Sequence, residues 1–102
     1  MIVEARDDNF DVLKAEGVAI VDFNSTHCGP CRALLPTLLK LEGEMPFISL
    51  IKVNTDNCPE LAERYQILGL PTLYLSRDGQ MQEIHTHDED ELREAIGKLL
   101  YE

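Results

Sequence analysis

Two cysteines separated by two residues are the strongest chemical signal in the sequence. Cys28, Gly29, Pro30 and Cys31 follow an apolar, β-branched run and precede a stretch with helical periodicity. Cys28 is therefore expected at a helix N-terminus, where unpaired backbone N–H groups favour a thiolate and lower the thiol pKa. Residues three apart share a helix face, so the two sulfurs can meet. The spacing predicts a dithiol in which Cys28 attacks a disulfide and Cys31 resolves the mixed disulfide.

Asp22 is a lone carboxyl group inside the apolar run 18–23. Burial at such a position should raise the pKa of the carboxyl group. Asp22 could then relay a proton to or from Cys31, directly or through water. The competing interpretation gives it a purely structural role at the end of a strand. We favour the proton relay because a dithiol lies close by in the sequence.

The same cysteine pair is also compatible with half of a zinc or iron–sulfur site, completed by Cys58 or a histidine. Zinc requires four ligands in tetrahedral geometry. The sequence has a single C-x-x-C, and His85 and His87 are not spaced from it as in a zinc finger. We therefore predict no metal ligands. Cys58 is either an incidental residue, which we favour, or a low-pKa thiol open to glutathionylation.

Secondary-structure signals alternate along the chain, which is typical of an α/β fold. Gly17 should end the first helix, Pro36 should kink the second, and residues 77–79 should form a hairpin turn. A mostly parallel sheet that ends in an antiparallel hairpin, with helices on both faces, satisfies the crossover rules. One domain should span residues 1–102. Strands are predicted at 2–4, 18–23, 48–53, 72–75 and 81–85, and helices at 9–15, 29–44, 57–65 and from about 88 onward.

The charge balance restricts the choice of partners. The chain has 19 acidic and 9 basic residues and a formal net charge of -10. Such a field repels phosphate backbones and anionic lipids, so we expect neither a nucleic acid nor a membrane as partner. No targeting segment or apolar membrane span is visible, although a leader could have been removed. The odd, low count of three cysteines favours a reducing compartment, and we expect a cytoplasmic monomer.

Taken together, these motifs resemble the thioredoxin family over nearly the whole chain. The resemblance implies a thioredoxin fold, with a central mixed sheet of four to five strands flanked by four helices. It also implies a protein-disulfide reductase that acts on disulfide-containing proteins and binds no cofactor. Its electrons would come indirectly from NADPH through a thioredoxin-reductase-like protein. The matching segments are Val21-Asp22-Phe23, Cys28-Gly29-Pro30-Cys31-Arg32, Pro36, Lys52-Val53-Asn54 and Leu68-Gly69-Leu70-Pro71-Thr72.

The resemblance also assigns roles to individual residues. Cys28 corresponds to the attacking thiol, Cys31 to the resolving thiol, and Lys52 to the buried partner of Asp22. Pro71 corresponds to the family's cis-proline, although from the residues alone it could equally be a trans residue that starts a strand. The residues expected at the substrate-binding groove are His27, Gly29, Pro30, Leu70, Pro71 and Thr72.

Two positions near the cysteines depart from the family pattern. His27 and Asn24 stand where tryptophans are usual, and the chain has no tryptophan. A protonated His27 would stabilise the Cys28 thiolate and make the protein more oxidising; the alternative is an exposed substitution with little effect. Residues 85–88 replace a segment that usually carries a glycine beside the groove. They either line the substrate site or, as we favour, form a loop before the last helix.

A third functional class is a thioredoxin-fold interaction protein without turnover. The intact pair of Cys28 and Cys31 argues against it, because such a protein needs no resolving cysteine.

Overall fold

The computed structural model describes residues 1–101 and shows five strands and four helices in that range. The strands are β1 (Ile2–Glu4), β2 (Val18–Asn24), β3 (Ile48–Asn54), β4 (Thr72–Arg77) and β5 (Gln80–Ile84). The helices are α1 (Phe10–Lys14), α2 (Gly29–Glu44), α3 (Pro59–Arg64) and α4 (Glu89–Tyr101). The order along the chain agrees with the prediction, and most predicted bounds differ by one or two residues.

The strands form one mixed sheet in the order β1-β3-β2-β4-β5. Strand β3 pairs in parallel with both β1 and β2, whereas β4 is antiparallel to β2 and β5 is antiparallel to β4. The sheet is therefore less parallel than the sequence predicted, because β4 enters alongside β2 in the opposite direction. As predicted, a hairpin turn joins β4 to β5. Asp78 and Gly79 both have positive φ, as a two-residue hairpin turn requires.

The helices cover both faces of the sheet. Leucines of α2 and α4, such as Leu38 and Leu92, pack with Ile20 and Leu50 on one face. Phe10 of α1 and Leu61 of α3 pack with Val21 and Phe23 on the other face. Strand β2 is buried on both sides, so its continuous apolar run is explained by its central place.

Helix α2 continues through Pro36 from Gly29 to Glu44. Because α2 follows β2 after a short loop, its N-terminus lies at the edge of the sheet where the parallel strands β2 and β3 end. This edge is where functional residues of such sheets are usually found. Within residues 1–101, no helix has the length and apolar character needed to cross a lipid bilayer.

Candidate active site

The cysteine pair lies at the start of α2, as the sequence predicted. Cys28 is the residue that caps the helix, and Cys31 lies in its first turn. The two residues are joined by a disulfide, with Cα atoms 5.2 Å apart. The backbone N–H of Cys31 donates a hydrogen bond of 3.2 Å to the sulfur of Cys28. In the reduced protein the same N–H group and the helix dipole would stabilise a negative charge on that sulfur.

The loop before Cys28 is held in place by three side chains that the sequence analysis did not single out for this role. Asp56, in the loop after β3, accepts a hydrogen bond of 3.1 Å from the backbone N–H of Thr26. Arg32 of α2 donates to the carbonyl oxygen of Thr26 at 3.2 Å. Asn54 donates to the Thr26 hydroxyl group at 3.1 Å. The backbone that leads into Cys28 is thereby fixed between α2 and the end of β3.

The segment that leads into β4 lies at the same end of the sheet. The peptide bond between Leu70 and Pro71 is cis, which agrees with the resemblance of Pro71 to the family's cis-proline. Thr72 begins β4 opposite Phe23 of β2, and its hydroxyl group donates to the carbonyl oxygen of Gly69. Leu68 in this segment is 99 % exposed, which is unusual for a leucine.

Asp22 lies in the middle of the buried face of β2 and is only 2 % exposed. Its carboxyl oxygen Oδ1 has no hydrogen-bond partner among residues 1–101. Asp22 lines a cavity of about 130 Å³ together with Cys31 of α2 and Lys52 of β3. Such a volume has room for water, which could connect Asp22 with Cys31.

Burial raises the pKa of Asp22 from 3.8 to about 6. The ammonium group of Lys52 acts in the opposite direction, and the negative charge of Glu4 raises the pKa further. The carboxyl group therefore exchanges its proton near neutral pH, where a general base is most effective.

Lys52 lies opposite Asp22 in the β2–β3 pairing and lines the same cavity. The ion pair that Lys52 forms is with Glu4 of β1, at 3.9 Å. No ion pair joins Lys52 to Asp22 within the described chain, so Lys52 is a neighbouring charge and not the direct salt-bridge partner of Asp22. Sequence reasoning missed Glu4, because a parallel register between β1 and β3 has no local signature.

The remaining residues expected at the substrate-binding groove differ in their exposure. His27, Gly29 and Pro30 are exposed, Leu70 is half-buried and Pro71 is buried. Asn24 turns its amide onto the carbonyl oxygen of Asp22 at 3.1 Å.

Residues 85–88 form a loop between β5 and α4, as the favoured interpretation predicted. This loop lies at the same end of the sheet as Pro71, because Ile84 pairs with Leu73. Asp88 accepts a hydrogen bond of 3.1 Å from the N–H of Glu91 and so caps α4. The loop therefore has a structural role at the start of the last helix.

Cys58 lies apart from this site. It is fully buried on the opposite face of the sheet, where its thiol group contacts the carbonyl oxygen of Ala5. Burial, together with the nearby charges of Asp7 and Glu4, raises the pKa of the Cys58 thiol. A low-pKa, reactive Cys58 is therefore the wrong interpretation, and the incidental one agrees with the structure. Among residues 1–101, no three or more His, Cys, Asp or Glu side chains are grouped as metal ligands would be.

Comparison with known proteins agrees with this geometry. The family model described as Thioredoxin matches residues 1–99. The chain belongs to the thioredoxin family. It is 36% identical over 100 residues to the thioredoxin of Chlamydia trachomatis, covering 96% of this chain and 98% of the relative. It is 33% identical over 102 residues to the thioredoxin of Bacillus subtilis, covering 97% of this chain and 98% of the relative.

The solved structures lead to the same family. The thioredoxin of Fasciola hepatica superposes with a TM-score of 0.84 at 30% identity, over 96% of this chain and 98% of that one. The thioredoxin fold, predicted as a mixed sheet of four to five strands flanked by four helices, is confirmed. Family membership and the bonded pair of Cys28 and Cys31 make the chain a thiol–disulfide oxidoreductase. A metal-binding module and an interaction protein without turnover are not favoured.

Proposed function

We propose that this protein reduces disulfides of other proteins, with Cys28 as the attacking and Cys31 as the resolving thiol. The observation that carries the proposal is the hydrogen bond from the Cys31 N–H to the Cys28 sulfur at the start of α2. This N–H group favours a thiolate on Cys28, and a thiolate is the species that attacks a disulfide.

The reaction proceeds in two exchanges. The Cys28 thiolate attacks one sulfur of the substrate disulfide, forms a mixed disulfide and releases the other substrate sulfur as a thiolate. Cys31 then loses its proton and attacks the Cys28 sulfur. The Cys28–Cys31 bond forms, and the second substrate sulfur leaves as a thiolate that takes a proton from solvent. Two electrons have then passed from the protein to its substrate.

Asp22 is the proton acceptor for Cys31 in this scheme. Its side chain and that of Cys31 line the same cavity, and its Oδ1 has no hydrogen-bond partner among the described residues. With a pKa of about 6, the carboxyl group is largely ionised at neutral pH and can receive the proton of the Cys31 thiol. Lys52 lines this cavity too, and its ammonium group lowers the pKa of Asp22.

Substrates would bind along the exposed surface around the pair. We expect His27, Gly29 and Pro30 at the start of α2, and Leu70, Pro71 and Thr72 at the start of β4, to line this surface. Gly29 has no atom within 4 Å of the position that a Cβ would occupy, so its surroundings leave room for another chain. The exposed imidazole of His27 beside Cys28 would favour the thiolate when protonated.

We propose a thioredoxin-reductase-like protein as the electron donor, with NADPH as the ultimate source, because the chain resembles thioredoxins over nearly its full length. The cytoplasm is the proposed compartment, because the dithiol must be kept reduced to act as a reductant. Consumption of NADPH in the presence of a thioredoxin reductase and a disulfide-containing protein tests the electron source. No consumption above the rate without this chain would contradict it.

Substitution of single cysteines tests the proposed function. Reduction of a protein disulfide is measured with dithiothreitol as electron source for Cys28→Ser, Cys31→Ser and Cys58→Ser. Cys58→Ser is the matched control, because it makes the same chemical change away from the pair. We expect Cys28→Ser to be inactive, Cys31→Ser to accumulate a mixed disulfide through Cys28, and Cys58→Ser to remain active. Full activity of Cys28→Ser would refute the proposal.

A further inference from the structure

Three charged residues form a row across the sheet. The parallel pairing of β1 with β3 places Glu4 opposite Lys52. The parallel pairing of β2 with β3 places Asp22 opposite the same lysine. Residues opposite one another in neighbouring strands point to the same face of a sheet. Lys52 therefore lies between two carboxylates, one on each side.

The two carboxylates differ in their surroundings and in their contact with the lysine. The Glu4 side chain is 60% exposed and lies 3.9 Å from the Lys52 ammonium group. Asp22 is 2 % exposed and forms no ion pair with Lys52 among the described residues. Lys52 thus lies nearer the exposed carboxylate of Glu4 than the buried carboxylate of Asp22. A buried carboxylate gains more from a nearby positive charge than an exposed one does.

We propose that Glu4 is a positioning residue that draws the Lys52 ammonium group away from Asp22 and so preserves Asp22 as a proton acceptor for Cys31. The catalytic consequence rests on the function proposed above. A lysine placed directly on Asp22 would stabilise its carboxylate and weaken it as a base. Glu4 prevents this without touching either Asp22 or the cysteines.

Two effects of Glu4 on Asp22 have the same sign. Its negative charge raises the pKa of Asp22 through space, against the larger lowering effect of Lys52. Through its 3.9 Å contact with the ammonium group, Glu4 should also limit that lowering effect. The other groups that face Asp22 are Cys31 and Arg32 from α2, and the apolar Leu73 from β4. With two strand spacings between the carboxylates, about 10 Å, the loss of the Glu4 charge should lower the Asp22 pKa by about 0.5 pH unit.

The experiment compares Glu4→Gln with Glu63→Gln, which removes the same charge from an exposed position on α3. The carboxyl carbon of Asp22 is titrated by NMR in the oxidised protein, where the cysteine pair cannot ionise. We expect the Asp22 pKa to fall by more than about 0.5 pH unit in Glu4→Gln, because the released lysine adds to the lost charge, and to stay unchanged in Glu63→Gln. A fall in Glu4→Gln no larger than the charge alone produces, or an equal fall in both variants, would overturn the inference.

A kinetic measurement separates this inference from the proposed function. The release of substrate from the mixed disulfide is followed against pH in the wild type and in Glu4→Gln. The acidic limb of the profile should move to lower pH by the same amount as the Asp22 pKa. A wild type that releases no substrate refutes the proposed function but leaves the NMR result intact. If the wild type and Glu4→Gln are both active and their pH profiles superimpose, the role of Glu4 is refuted and the proposed function is not affected.

Discussion

The buried carboxyl group of Asp22 should make this protein less stable as the pH rises. The pKa of Asp22 is 3.8 in an unfolded chain and about 6 in the folded protein. Between about pH 4 and pH 6 the unfolded chain therefore binds fewer protons than the folded one. Under this condition the free energy of unfolding falls with increasing pH. The decrease in the free energy of unfolding should be absent below about pH 4 and complete well above about pH 6.

The magnitude follows from the size of the shift. A shift of about 2 pH units corresponds to about 3 kcal/mol, since each unit is worth about 1.4 kcal/mol. Because Asp22 is only 2 % exposed, solvent screens the effect little. A single ionised carboxyl group thus removes a sizeable part of the 5–15 kcal/mol that is roughly typical of a folded domain.

The variant Asp22→Asn isolates this contribution, because its side chain has a similar shape and does not titrate. Urea unfolding of the oxidised wild type and variant is measured at intervals from about pH 3.5 to about pH 8, a range that includes both pKa values of Asp22. The variant should gain about 3 kcal/mol relative to the wild type over this range. Any constant cost of the amide cancels in the comparison between pH values. A difference that stays flat, or that turns in favour of the wild type at high pH, would refute the burial argument.

Three further predictions concern the rest of the chain. Cys58 should not react with a thiol reagent in the oxidised native protein, because it is fully buried and its pKa is raised; the same assay in denaturant should detect one thiol group. Leu68→Ser should change the free energy of unfolding by less than about 0.5 kcal/mol, because the side chain is exposed. We also expect it to raise the KM for protein disulfides more than for small ones, since an exposed leucine two residues before Leu70 can contact a bound protein; equal changes in KM would contradict such a contact. Leu38→Ala should cost about 2–5 kcal/mol in urea unfolding, because Leu38 is fully buried between α2 and the sheet; a smaller loss would show that the core refills the space.

Local sequence patterns were sufficient to predict the helices and strands and the position of the cysteine pair. The apolar run around Val21 and the Asp-Gly turn at Gly79 each depend on neighbours in the sequence, and the structure contains both features. The position of Cys28 at a helix N-terminus follows from the same kind of pattern. The cis bond before Pro71 was implied only by the family resemblance, because a proline after leucine has no local signal for it.

The residues that complete the site depend on contacts between distant segments. Asp56 reaches Thr26 across 30 positions, and Glu4 meets Lys52 only because β1 and β3 pair in parallel. Neither partner could be chosen from the sequence, since many acidic residues were available in a chain with 19 of them. The contact of Lys52 with Glu4 was not predicted for the same reason, because no local pattern marks which acidic residue lies beside the lysine.

The central claim is that the start of α2 makes Cys28 the acidic, attacking thiol of the pair. Alkylation of the fully reduced protein across a pH series, with the modified residue identified by mass spectrometry, measures this directly. We predict that Cys28 reacts first, with a midpoint below about 8.5, the ordinary pKa of a cysteine thiol, and that Cys31 reacts much more slowly. Equal rates for the two thiols, or a Cys28 midpoint at the ordinary value, would contradict the account.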